Sequence, residues 1–198
     1  GFAENSNAEL FARWIQTGAL TPFARNHNQT NQQDQYAFSW GDEVLAVARE
    51  AIRLRYRLLP YLYSCFVQAT ETGLPIQRPM VLEYQHDSNT WNLDDQYLLG
   101  SQLLIAPILQ AGQTGRSVYL PAGVWYDWHS GKLIRSEGQS IEVKADLATI
   151  PIFVKAGSVL PLWNEAPKST LDYQPETLEL LVFAPATSGS FESMFQED

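Results

Sequence analysis

The chain has 198 residues, 45% of them hydrophobic, which is material for one large domain or two small ones around packed cores. Its 13 Lys and Arg against 22 Asp and Glu leave a formal net charge of -9, and no Lys/Arg-rich run could track phosphates, so nucleic acid is not an expected partner. Spanning a bilayer takes roughly 20 apolar residues, whereas the run Leu103 to Leu109 is short and contains Pro107, so the chain reads as soluble, with no membrane partner.

Cys65 stands alone, so neither an internal disulfide nor a paired-cysteine metal site can form. The sequence starts without Met or a basic-then-apolar leader and stops at Phe195-Gln196-Glu197-Asp198 without a closing turn, so both ends read as cut. The compartment stays open, a cytoplasmic one being favoured.

Ser6 and Glu9 have capping-box spacing ahead of Leu10, Trp14 and Ile15, and Gly18 sits where a C-terminal cap belongs. A helix over about 7–17 is expected. Leu20-Thr21-Pro22-Phe23-Ala24 then reads as a short buried strand, running into the polar Arg25-Asn26-His27-Asn28 and a Gln/Asn-rich loop up to Tyr36.

From Asp42 to about Thr72, Val44, Val47, Ala48, Ala51, Arg55, Leu58, Leu59, Leu62 and Phe66 are spaced to share one broad helical face. Pro60 removes a backbone donor, so a kink near Arg57 to Pro60 is expected, and Gly73 and Pro75 end the helix. After Pro79 the composition changes to short runs of Val, Ile, Leu, Tyr and Trp between Gly and Pro turns. Strands are expected at 103–109, 117–120, 124–128, 140–144, 150–154, 158–162 and 178–183, with turns at Pro121-Ala122-Gly123, Ser130-Gly131 and Ala156-Gly157. That spacing fits a sandwich.

Among residues that could carry chemistry, His27 lies just past a short apolar strand between two helices. In an α/β barrel that end of a strand faces the active site, although a histidine there can equally cap its loop through backbone hydrogen bonds. Arg25 beside it is expected to brace the loop by bonding carbonyls. Arg49, Arg53, Arg55 and Arg57 could bind an anion, but arginines along a helix more often pair with acids or cover apolar surface. Trp125, Tyr126 and Trp128 could stack on sugar rings, yet alternation puts Trp125 with Asp127 on one face and Tyr126 with Trp128 on the other, so at least one set is expected in the core. His86 and His129 have no partners at metal-ligand spacing and read as surface loop residues, and no nucleophile elbow or Gly-rich phosphate loop is present.

Taken in order, these segments resemble glycoside hydrolase family 31 over nearly the whole chain. Gly1-Phe2, then Glu9-Leu10, Arg13-Trp14 and Gln16, look like the family's segment after barrel strand seven and its helix; Pro22-Phe23, Arg25 and His27-Asn28 match the strand-eight segment. Arg55-Tyr56 and Leu58-Leu59-Pro60-Tyr61-Leu62-Tyr63 look like the last barrel helix, followed by Gly73, Pro75, Arg78 and Pro79. Gly100, Leu103-Leu104, Ala106-Pro107, Tyr119-Leu120-Pro121, Gly123, Trp125-Tyr126-Asp127, Pro151, Ala156-Gly157-Ser158 and Pro161 resemble the proximal β-domain.

The resemblance implies the end of a (β/α)8 barrel over residues 1–79, a proximal β-sandwich domain over 80–163 and the start of a distal β-domain over 164–198. It implies retaining hydrolysis of α-glucosidic bonds by two aspartates, both in barrel segments upstream of Gly1, leaving this chain inactive alone. Its partners would be those upstream segments and α-linked glucosides or oligosaccharides, without a cofactor or metal. His27 and Phe2 would contact the sugar at the cleavage site. The family's Glu-Pro-Trp looks replaced by Tyr36-Ala37-Phe38, which leaves the outer subsites open. A non-catalytic carbohydrate-binding or structural β-module is the alternative.

Overall fold

A computed structural model describes residues 5–171, 173–185 and 192–193. Helix α1 spans Ala8–Ala19, and its cap is Asn7, whose Oδ1 accepts the Leu10 N–H at 2.9 Å. The expected box started one residue too early, because Asn7 is the residue with extended backbone and an acceptor facing the third helical N–H. Gly18 stays inside the helix, which closes when Leu20 N–H reaches the Thr17 carbonyl at 3.0 Å.

The strand expected at 20–24 does not form. Leu20 is buried, but Phe23 is 76% exposed, and the carbonyls a strand would offer a neighbour are taken by a side chain. The Arg55 guanidinium donates to Ala19 O at 3.0 Å, Thr21 O at 2.6 Å and Pro22 O at 3.0 Å. A β-ladder needs an adjacent backbone, and 20–24 belongs to none of the sheets among the described residues.

The long helix is two helices, α2 (Asp42–Arg57) and α3 (Leu59–Thr72), with the break at Leu58 where the kink was expected. Pro60 falls in the first turn of α3, where a missing N–H costs nothing. Gly73, at φ 76°, caps α3 in the left-handed region that only glycine enters freely. Val44, Val47 and Ala48 of α2 pack with Phe11 and Ala12 of α1. The break rotates the buried face: Tyr61, Leu62 and Cys65 point inward, while Phe66, expected on the apolar side, is 46% exposed.

The β-region is built on a six-stranded antiparallel sheet in the order β1-β2-β3-β8-β5-β6. These strands are β1 (Gln77–Pro79), β2 (Tyr97–Leu99), β3 (Leu103–Ile105), β8 (Ile152–Lys155), β5 (Gly123–Asp127) and β6 (Leu133–Ser136). A short helix α4 (Met80–Glu83) follows β1. Strand β4 (Gly115–Leu120) pairs with β7 (Gln139–Lys144), and β9 (Ser158–Trp163) pairs with β10 (Leu178–Val182) and, in parallel, with β11 (Glu192–Ser193).

The register explains two cores. Leu98, Leu104 and Phe153 stand opposite one another and face Val118 and Leu120 of β4, together with Met80 and Trp125. The alternate residues Leu99, Leu103 and Val154 face Tyr61, Leu62 and Cys65 of α3 and Leu160 and Leu162 of β9. At Gly100 a Cβ would lie 2.2 Å from Tyr61 Oη, and φ is +63°, so α3 rests directly on the β2–β3 turn. Burial raises the pKa of Tyr61, and that of Cys65 to about 11, so the thiol stays protonated and inert at neutral pH. Both aromatic sets on and just after β5 are packed: Trp125 is buried, and Tyr126 and Trp128 meet Phe183 at ring-centroid distances of 5.5 and 6.4 Å.

Candidate functional site

His27 is exposed on a loop whose two limbs are tied side by side. Asn26 Nδ2 donates to the Gln35 carbonyl and Asn28 Nδ2 to the Gln33 carbonyl, so the residues on both sides of His27 are pinned to the returning limb. Gln33 N–H donates in turn to Asn5 Oδ1 at 3.1 Å, and Asn31 at the tip adopts φ 69°, a left-handed geometry that asparagine tolerates better than most side chains. The Gln/Asn-rich composition thus has a structural use: amide side chains supply the hydrogen bonds that a ladder would otherwise provide.

Beneath this loop lies a cleft of about 670 Å³, lined by Leu10, Trp14, Phe23, Arg25, Asn26 and Ile52 among others. Leu10, Trp14, Phe23 and Ile52 are 45%, 65%, 76% and 42% exposed, an apolar wall around a polar rim. Arg25 is exposed on that rim. The bracing of carbonyls expected of it is performed by Arg55, whose guanidinium loses some basicity through burial. The structural reading of the other arginines holds where partners are seen: Arg53 pairs with Glu50 at 2.8 Å, and Arg57 with Glu179.

Helix α1 carries Leu10 and Trp14 of this wall and is also clamped to the β-region. Buried Arg13 donates from Nη1 to Asp146 O at 2.6 Å and Thr149 O at 3.0 Å, and from Nη2 to Gln113 O at 3.2 Å and Ala145 O at 3.4 Å. Gln16 Nε2 donates to Leu147 O at 3.0 Å, and Glu9 Oε1 accepts Gly112 N–H at 2.8 Å. Burial lowers the Arg13 pKa, while Glu9 and Asp146 act against that shift. Position alone could not identify this clamp, because the carbonyls that Arg13 and Gln16 reach are 100 to 136 residues away.

Phe2, the second candidate sugar contact, lies outside the described residues. His86 is exposed, and His129, also exposed, places Nε2 at 2.8 Å from the Ile150 carbonyl oxygen, where it donates. Among the described residues no group of three or more His, Cys, Asp or Glu could hold a metal ion, and no helix is long and apolar enough to cross a membrane.

Two family models match the chain in succession: the TIM-barrel domain of glycosyl hydrolases family 31 over residues 1–65, and the family 31 C-terminal domain over residues 73–160. Alpha-glucosidase 2 of Bacillus thermoamyloliquefaciens is 44% identical over 162 residues, 82% of this chain and 20% of that protein. The family 31 dextranase of Flavobacterium johnsoniae, solved in complex with isomaltotriose, superposes with a TM-score of 0.86 at 36% identity, covering 90% of this chain and 22% of that one. A glucosidase II alpha subunit bound to alpha3-Glc2 gives a TM-score of 0.88 at 28% identity, covering 94% of this chain and 20% of its own. The chain therefore spans about a fifth of the length of the relatives it matches.

Proposed function

Since the chain belongs to glycosyl hydrolase family 31, we propose that it is a part of a retaining α-glucosidase that joins the end of a catalytic barrel to the β-domain behind it. The observation that carries this reading is the unbroken order of the two family matches, barrel at 1–65 and C-terminal domain at 73–160, along one chain. Retaining hydrolysis needs a nucleophilic carboxylate and an acid/base carboxylate about 5 Å apart. In this reading both come from preceding barrel segments. Residues 1–79 are the barrel part, 80–163 the proximal β-domain and 164–198 the start of a distal one.

The substrates are α-linked glucosides and oligosaccharides, as the names of the relatives suggest. His27 is the residue of this chain that hydrogen-bonds the glucosyl unit being cleaved, with Phe2 contributing an aromatic wall. The tied limbs of its loop support this role, because a contact that must act on a distorting ring has to be held in place before the ring arrives. The exposed apolar wall of Leu10, Trp14, Phe23 and Ile52 is the face that the preceding barrel segments cover.

The test is an assay of the complete enzyme and of the 198-residue chain on a chromogenic aryl α-glucoside. The complete enzyme releases the chromophore with retention at the anomeric carbon, and the chain alone releases none above a mock preparation. Turnover by the chain alone would overturn the assignment of both carboxylates to other segments.

A further inference from the structure

We propose that Arg55 is a positioning residue for His27: from α2 it holds the main chain that leads into the His27 loop and so sets where that imidazole stands, a role that rests on the sugar contact proposed above. Every carbonyl from Ala19 to Phe23 is met by a side chain. The Arg55 guanidinium takes Ala19 O, Thr21 O and Pro22 O. The Tyr97 hydroxyl, on β2, donates to Leu20 O at 3.1 Å, and the Thr21 hydroxyl is shared between Gly18 O at 2.8 Å and Phe23 O at 3.0 Å. A segment with the composition of a strand is thus held, without a ladder, chiefly by side chains of α2 and β2.

These contacts and the ties within the loop do different things. The hydrogen bonds from Asn26 to Gln35 and from Asn28 to Gln33 join the two limbs to each other, which fixes the shape of the loop but not its place on the molecule. Its place is set where the limbs leave it. The returning limb is tied to Asn5, ahead of α1, and ends at Trp40, stacked on Phe11 of α1 at 5.7 Å. On the entering limb only Ala24 and Arg25 separate the braced carbonyls from Asn26. Arg55, which also lines the cleft beneath the loop, has a firm base, since Leu54 and Leu58 beside it pack in the large core shared with α3 and the sheet. A planar guanidinium that meets three carbonyls of one segment fixes its orientation as well as its distance, which a single hydrogen bond does not.

A hydrogen bond that must strengthen as the sugar ring distorts depends steeply on where its side chain stands. A displacement of about 1 Å, caused by a substitution far from the chemistry, can cost about a hundredfold in rate. Arg55 therefore bears on the rate through the main chain and His27, not through a contact of its own with the sugar.

The test is a double-mutant cycle in the complete enzyme, on a chromogenic aryl α-glucoside, with Arg55→Met, His27→Ala and the two combined. Arg55→Met should lower kcat about ten- to a hundredfold with KM changed less than about twofold, since the weakened contact belongs to the transition state. In the His27→Ala enzyme the same substitution should lower kcat less than about threefold, because the imidazole it positions is gone. Arg55→Lys, a cation without the planar fork, should fall between Arg55→Met and the wild type. Tyr97→Phe, which removes one hydroxyl of the brace, should show the same dependence on His27 at smaller size, and these two milder variants carry the cycle if Arg55→Met does not fold. An equal loss in both backgrounds, or an unchanged kcat in Arg55→Met, would overturn the role and leave Arg55 as a structural brace. Near-normal kinetics for His27→Ala alone would defeat the sugar contact itself, and the positioning role with it, so the two failures are told apart.

Discussion

His27, Arg13 and Arg55 show what a single side chain reveals in a sequence and what it hides. The position of His27 after an apolar run and before a polar loop made it a candidate, but position alone fits a loop cap at least as well, and the family resemblance is what turned the reading toward a sugar contact. The arginines were harder to read. Arg55 was expected on the apolar face of a helix and Arg25 was expected to brace the loop, but the carbonyl acceptors at Ala19, Thr21 and Pro22 all go to Arg55. Which of two arginines reaches a carbonyl depends on tertiary distance, and no pattern of types encodes that. In the complete enzyme, a hydrogen bond from His27 to the sugar that strengthens as the ring distorts would have a value of about 3 kcal/mol. His27→Ala should therefore lower kcat/KM for an aryl α-glucoside by about a hundred- to a thousandfold. Tm should barely move, because the side chain is exposed and fills no core. Near-normal kinetics with a Tm several degrees lower would reassign His27 as a loop brace.

At the level of elements, the sequence displayed whatever repeats with a regular period and obscured whatever is short. The break at Leu58 followed from Pro60, and seven expected strands coincide with seven observed ones to within a few residues at most ends. Strands β1 and β2 went unseen because three residues cannot display a period of two and, unlike the equally short β3, neither opens a longer apolar run; β6 went unseen because Leu133–Ser136 mixes a charge and a polar residue into four positions. The expected strand at 20–24 failed for the opposite reason: its residues are apolar enough, but a strand exists only beside another. Helix α1 owes its position to Arg13, which holds four carbonyls of two loops of the β-region while itself buried. Arg13→Ala should leave those acceptors without partners and cost about 2 to 4 kcal/mol. Arg13→Lys, with one cationic centre in place of a fork, should recover less than half. Urea unfolding of both variants measures this, and a shift in midpoint equivalent to under 0.5 kcal/mol for Arg13→Ala would show that the loops find water instead.

Over the whole molecule, stability is distributed unevenly between the two ends. The β-region closes on itself: its sheet has an apolar core on each face, one made with β4 and the other with α3 and β9, and both are almost fully buried. The region ahead of it has a smaller core of Phe11, Ala12, Val44, Val47 and Ala48, with Leu10, Trp14, Phe23 and Ile52 left in water. Uncovered apolar surface adds nothing to the free energy of folding, so α1, the 20–36 segment and α2 should open locally at lower cost than the sheet does. Protease attack on a native protein follows such openings when they are fast compared with cleavage. Limited digestion of the 198-residue chain should therefore cut first before Met80, most readily in the loop around 26–35, and leave a resistant fragment that keeps α3 together with the sheet it covers. Addition of the preceding barrel segments, in the complete enzyme, should slow those early cuts at least tenfold without altering cleavage in the sheet. First cuts within the strands from Leu103 to Leu162 would reverse this ranking and show that the helices at the front are the more stable unit.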